Sequence, residues 1–155
     1  MSAAAVPQMR AGVDLVDAAT VRASIEVFGD RYLRRVYTAH ELECCQAPEP
    51  VRSRSLAARF AAKEAALKVI GLDDDAMDWR DIEVRRRGNG APELVLHRAA
   101  AVLAERAGVT STSLSLSHEG DIAAAFVVGG VACCTTAPPS STTEQHHRRP
   151  RRATT

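Results

Sequence analysis

The stretch from Arg54 to Lys68, RSLAARFAAKEAALK, puts charged side chains where a helix built only for packing would not. At about 100° per residue, Leu56, Phe60, Leu67 and Ile70 fall in one narrow stripe. Lys63 lies in the middle of that stripe and Glu64 at its edge, with Lys68 one turn further on the same side. An unpaired ammonium is costly to bury. The spacing therefore predicts that this helix edge meets something anionic or metallic. Asp14 is a second oddity, a carboxylate inside the apolar run AGVDLV. It reads either as a capping or salt-bridged group, with Lys63 or Arg59, or as a metal ligand. Asp14 and Glu64 together could form a hard-oxygen site for Mg²⁺, which takes one or two carboxylates, waters and substrate phosphates. Lys63 and Lys68 would supply point charges for phosphate. His118, ending a strand at a turn, reads as a hydrogen-bonded structural group or as an edge-of-site residue. The run Gly88-Asn89-Gly90-Ala91-Pro92 is a hairpin turn whose backbone N–H groups could also contact a phosphate. No Walker loop, dinucleotide fingerprint, nucleophile elbow or His-rich metal motif accompanies them.

The elements that must position these residues follow from pattern. Ala11 to Val16 alternates as a short strand. Ala18 to Phe28 reads as a helix with Asp17 as N-cap and Gly29 as its stop. Thr38-Ala39-His40-Glu41 has capping-box spacing and opens a helix through about Gln46. Ala47 to Val51, with two prolines, is a connector, and the long Ala-rich helix then runs to Ile70 with Gly71 ending it. The acidic run Asp73–Asp75 reads as a solvated loop. Asp81–Arg86 and Glu93–Leu96 form a hairpin. A helix over Arg98–Ala107 closes at Gly108. Ser113–His118 alternates strictly, Glu119-Gly120 turns the chain, and Ile122–Val128 is the returning strand. The fold class is α+β, a single small domain with an antiparallel sheet packed on a long central helix.

The chain has 155 residues, enough for one domain, and is 46% hydrophobic, enough for a core. Residues 1–10 read as a flexible lead-in, 11–131 as the domain, and 132–155 as a disordered tail rich in Ser, Thr, Pro and Arg. The net charge is +1, but residues 135–155 hold four Arg and one Glu, so the body is slightly acidic. That balance argues against a dedicated nucleic-acid partner. No apolar run reaches the ~18 residues of a membrane span, and no secretory leader precedes the domain. The four cysteines form two adjacent pairs, Cys44-Cys45 and Cys133-Cys134, without the gap of a zinc or redox motif. They read as small buried thiols of a reducing cytoplasm.

The order of these pieces resembles the holo-[acyl-carrier-protein] synthase family of 4′-phosphopantetheinyl transferases. The matching stretches are Gly12-Val13-Asp14-Leu15-Val16, Arg35-Val36-Tyr37-Thr38 with Glu41, and Arg59-Phe60-Ala61-Ala62-Lys63-Glu64-Ala65 followed by Lys68 and Gly71. Trp79, Asp81-Ile82-Glu83-Val84, Gly90-Ala91-Pro92 and Ser115-Leu116-Ser117-His118 complete the series from about Gly12 to Val128. The resemblance implies Mg²⁺-dependent transfer of phosphopantetheine from coenzyme A to a serine of an apo acyl carrier protein, with release of 3′,5′-ADP. It implies Asp14 and Glu64 as Mg²⁺ ligands, and Lys68 on the pyrophosphate and leaving group. His118 with the Gly90–Pro92 loop would form part of the coenzyme A site, with Lys63 and Arg59 in support. It further implies a homotrimer with active sites at subunit interfaces. The family usually has a basic residue six positions after the strand aspartate, for carrier docking. Thr20 stands there in this chain, with Arg22 two residues later, and Arg31, Arg34 and Arg35 follow.

On this reading a serine oxygen displaces 3′,5′-ADP at the β-phosphorus, and Glu64 or a metal-held water takes the serine proton. Three other readings stand beside it. One is a non-catalytic coenzyme A or nucleotide-binding module. Another is an interaction domain whose oligomeric surface is its function. The third is a transferase dedicated to a specialised polyketide or peptide-synthase carrier rather than the fatty-acid one.

Overall fold

A computed structural model describes residues 8–71 and 77–132. The acidic run Asp73–Asp75, the Cys133-Cys134 pair and the basic tail lie outside the described residues. Strand β1 (Gln8–Asp17) leads into α1 (Ala18–Phe28), α2 (Asp30–Val36), α3 (Ala39–Cys44) and the long α4 (Val51–Ile70). A 3₁₀ turn (Trp79–Asp81), the β2–β3 hairpin (Ile82–Arg86, Pro92–Leu96), α5 (Arg98–Arg106), β4 (Val109–Glu119) and β5 (Ile122–Val131) follow. The main sheet is antiparallel in the order β1-β5-β4, and β2-β3 forms a separate two-stranded sheet.

Local chemistry sets most of the boundaries. The Asp17 side chain accepts from the Ala19 amide at 2.8 Å, starting α1. Thr38 and Glu41 close the reciprocal capping box of α3. Gly71, at φ 81°, ends α4 in the left-handed conformation. Two expectations are corrected. The first strand begins at Gln8 inside the expected lead-in, because Gln8 to Arg10 pair with Val131 to Gly129. The segment after Gly29 is a helix, α2, with Asp30 in its first turn and Arg34 and Arg35 in its last. That charge order suits the helix dipole.

The core lies between α4 and one face of the main sheet. Ala61, Ala62, Ala65 and Val69 of α4 pack on Leu114, Ala125 and Val127. Small side chains let helix and sheet come close. A Cβ on Gly12 would stand 2.1 Å from the Ala65 carbonyl oxygen, so β1 crosses α4 where only glycine fits. The opposite face of the sheet is apolar and uncovered within the chain. Val13, Leu15 and Phe126 lie there, Leu15 exposed by 66% and Phe126 by 47%.

Candidate functional site

The charged residues of α4 separate into three environments. On the side facing β1, the Lys68 ammonium donates to Asp14 Oδ1 at 2.8 Å and to the Val13 carbonyl at 2.7 Å. Asp14 and Gly12 share a sheet face, so the close crossing at Ala65 brings the carboxylate to this side of the helix. Glu64, half-buried, lies one turn before Lys68 on the same side. Asp14, Glu64 and Lys68 are thus drawn to one edge of the domain, and the ion-pair partner of Asp14 is Lys68 rather than Lys63 or Arg59.

Lys63 is corrected. It is fully buried, and it does not face outward toward a ligand. Its ammonium donates to Glu41 Oε2 at 2.9 Å, to the Trp79 carbonyl at 3.0 Å, and to the Ile82 carbonyl. Burial lowers its pKa, and the Glu41 carboxylate opposes that shift. The anion that the misplaced lysine demanded is internal. Glu41 is equally buried, and its other oxygen accepts from the Val84 amide at 3.0 Å. The sequence signal was present, but it identified Glu41 only as a capping residue.

The remaining expected residues gather on the far side of α4. Arg59 is nine positions from Lys68, about 180° around the helix. With Arg54, Ser55, Arg86, Leu116, Ser117 and His118 it lines a cavity of about 360 Å³. A smaller one of about 160 Å³ adjoins it, where Arg59, Arg86 and Leu116 meet Gly90 and Pro92 of the hairpin. Arg59 is only 5% exposed, and its Nε is buried without a hydrogen-bond partner. A buried guanidinium with a donor to spare, beside Arg86 and His118, makes this cavity an anion receptor. Arg86 is common to both cavities, yet the sequence showed it only as an alternating strand charge. Arg54 is partly committed, with its Nε at 2.8 Å from Asp121.

β1 and β4 flank β5 on opposite sides, and α4 lies across the sheet between their edges. Within one chain, the Asp14–Glu64–Lys68 group and the Arg59–Arg86–His118 cavity therefore face away from each other. Among the described residues, no cluster of three or more His, Cys, Asp or Glu side chains could hold a metal. Asp14 and Glu64 are two hard-oxygen donors, and Asp14 already sits against a cation, a set that suits Mg²⁺ completed by waters and substrate phosphates. Of the expected docking arginines, Arg31 and Arg35 line a shallow groove of about 810 Å³ with Phe28, Tyr32, Arg34 and Arg80. Arg22 is half-buried on α1, outside that groove. No helix among the described residues is long and apolar enough to cross a membrane.

Residues 10–127 match the 4′-phosphopantetheinyl transferase superfamily. The holo-[acyl-carrier-protein] synthase of Desulforudis audaxviator is 43% identical over 117 residues, which are 76% of this chain and 88% of that protein. The crystal structure of holo-[acyl-carrier-protein] synthase from Neisseria meningitidis is similar with a TM-score of 0.68 and 36% identity, over 77% of this chain and 95% of that one. The Helicobacter pylori synthase, solved in complex with coenzyme A, gives a TM-score of 0.68 and 26% identity, over 77% of this chain and 99% of its own.

Proposed function

Since this chain belongs to the holo-[acyl-carrier-protein] synthase family of 4′-phosphopantetheinyl transferases, we propose that it moves the phosphopantetheine arm of coenzyme A onto a serine of an apo acyl carrier protein. The observation that carries this reading is the pairing of two acids and a lysine at one edge with a buried anion receptor at another. A substrate with a diphosphate in its middle and a phosphomonoester at one end needs both kinds of site. The Arg59–Arg86–His118 cavity, with Gly90 and Pro92 beside it, suits the nucleotide end. The edge formed by Asp14, Glu64 and Lys68 suits the diphosphate.

Because α4 separates the two groups within one chain, a single bound substrate is best served by two copies, each giving one group. The uncovered apolar face bearing Val13, Leu15 and Phe126 supports such an assembly. A homotrimer is the proposed form.

Asp14 and Glu64 would hold Mg²⁺, which when bound neutralises charge building on the diphosphate. In the reaction the serine oxygen bonds to the β-phosphorus as the bond from that phosphorus to the bridging oxygen breaks. The electron pair leaves with 3′,5′-ADP. Lys68 meets that charge with its ammonium, released from Asp14 Oδ1 when substrate arrives. The serine proton passes to Glu64 or to a water beside it. Arg31 and Arg35 in the groove, and Arg22 on α1, are the proposed contacts for an acidic carrier.

The test is to incubate the protein with coenzyme A, Mg²⁺ and apo-carriers from fatty-acid and specialised synthases. Mass spectrometry then reads the gain of one phosphopantetheine arm. Transfer that disappears in Glu64→Gln at unchanged folding supports the assignment. Wild-type turnover in that variant defeats it. The carrier that is modified fixes the pathway, and the proposed compartment is the cytoplasm.

A further inference from the structure

We infer that the buried Glu41–Lys63 pair is a positioning device that sets the rotation of α4, and through it the aim of Glu64 and Lys68 at Asp14. The inference rests on the transferase reading above, because it gives that pair a role in the reaction.

Burying two opposite charges costs more in lost hydration than most pairs return in stability. Glu41 and Lys63 are both fully buried, so stability alone is a weak reason for them. Their connections suggest another. Through Lys63, one position on α4 is tied to the first turn of α3 at Glu41, to the 3₁₀ turn at the Trp79 carbonyl, and to the start of β2 at the Ile82 carbonyl. Glu41 is in turn fixed by the Thr38 and Val84 amides at 2.9 and 3.0 Å. Thr38 is held by its hydroxyl on Glu83, which also bonds His97. Every donor and acceptor of the pair is directional, so the arrangement has one rotational setting.

Two residues along, the Ala65 carbonyl fits into the gap left by Gly12 of β1. One turn of α4 is therefore gripped on both sides, at Lys63 by α3 and β2 and at Ala65 by β1. Glu64 is the residue between the grips, and Lys68 is one turn beyond. Side-chain ends on a helix lie about 5–6 Å from its axis, so a rotation of about 10° moves a carboxylate by about 1 Å. A displacement of that size in a reacting constellation can cost about 100-fold in rate. Apolar packing of alanines alone, with few large side chains to interlock, fixes rotation poorly.

The experiment compares wild type with Glu41→Gln/Lys63→Met, which removes both charges, and with Lys63→Arg, which keeps the charge in a shape that cannot reach all three acceptors. Three readouts are taken on the full chain: thermal melting, the shift in melting produced by titrating Mg²⁺ in the presence of coenzyme A, and transfer kinetics. The expected result is a folded variant in which half-saturating Mg²⁺ rises and kcat falls, each by about tenfold or more, while KM for carrier is unchanged. A folded variant with wild-type Mg²⁺ titration and kcat overturns the inference. Unfolding of both variants overturns it too, since the pair then serves the fold alone. A wild-type protein that transfers nothing to any carrier removes the underlying reading instead, so the two failures are told apart by the control.

Discussion

Replacing Gly12 by alanine adds one methyl group where β1 crosses α4. The new carbon would stand 2.1 Å from the Ala65 carbonyl oxygen, 3.0 Å from its carbon and 3.2 Å from Lys68 Cβ. Ordinary contact begins near 3.4 Å, so the strand and helix must part by more than an ångström. The first two obstacles are backbone atoms, which cannot rotate away. Overpacking typically costs about 1–3 kcal/mol, and an immovable obstacle puts this site at the top of that range, about 3 kcal/mol. For a domain of this size each kcal/mol lowers Tm by about 3–4 °C, so Gly12→Ala should melt about 10 °C below wild type. Gly88→Ala is the control, since a Cβ there meets nothing within 4 Å, and its stability should change by less than about 0.5 kcal/mol. Far-UV circular dichroism on heating reads both. If Gly12→Ala melts within about 2 °C of wild type and of Gly88→Ala, the close crossing does not exist as described. A folded Gly12→Ala should also need more Mg²⁺ for transfer, because parting the strand from the helix carries Asp14 away from Glu64.

Other outcomes can be checked in the same preparations. Phe126→Glu places a charge on the uncovered sheet face, 47% exposed in the single chain. It should shift light-scattering mass toward monomer and reduce transfer, while a trimer of wild-type activity would argue that this face is not the interface. Burial pushes the Cys45 thiol up to about 11, so it stays protonated and unreactive at neutral pH. Cys44 is exposed, contrary to the expectation of paired buried thiols. Peptide mapping after brief alkylation at pH 7.5 should therefore find Cys44 labelled far ahead of Cys45. Burial alone would raise the Glu83 pKa, but hydrogen bonds from His97, Thr38 and Arg85 outweigh it and leave the group below the usual carboxylate range. Its contribution to stability is then complete above the ordinary glutamate value of about 4.3 and fades as pH falls below it. Glu83→Gln should melt below wild type at pH 7, with the two curves converging in acid. Parallel curves down to pH 3 would remove that account.

Local rules made much of the fold legible. Asp17 and Gly29 bracketed α1 to the residue, and Gly88-Asn89-Gly90 located the hairpin. These signals need only neighbours in sequence. α2 was missed because no side chain caps it and only Leu33 and Val36 of its seven residues are buried. Its stability comes from packing on residues far along the chain. The site shows the same division. Asp14, Glu64 and Lys68 stood out as charges in apolar surroundings, and the structure gathers them at one edge. Lys63 stood out for the same reason, but periodicity says only that a side chain faces inward, not what it meets there. Glu41 lies 22 residues earlier on another helix, and no spacing rule links them. Arg86 was invisible for the opposite reason, since a charge on an alternating strand is ordinary until a cavity is seen beside it.

The strand order has a temporal consequence. β5 is the centre of the main sheet, and both β1 and β4 pair only with it. Gln8 meets Val131, so the earliest described strand waits for the last one. During synthesis no part of this sheet can form until β5 has left the ribosome, and until then β1 has only α4 to rest against. Such distant pairing makes folding slow. A chain halted anywhere before Ile122 would offer two bare strand edges and an apolar helix to whatever chaperone or neighbour it met first.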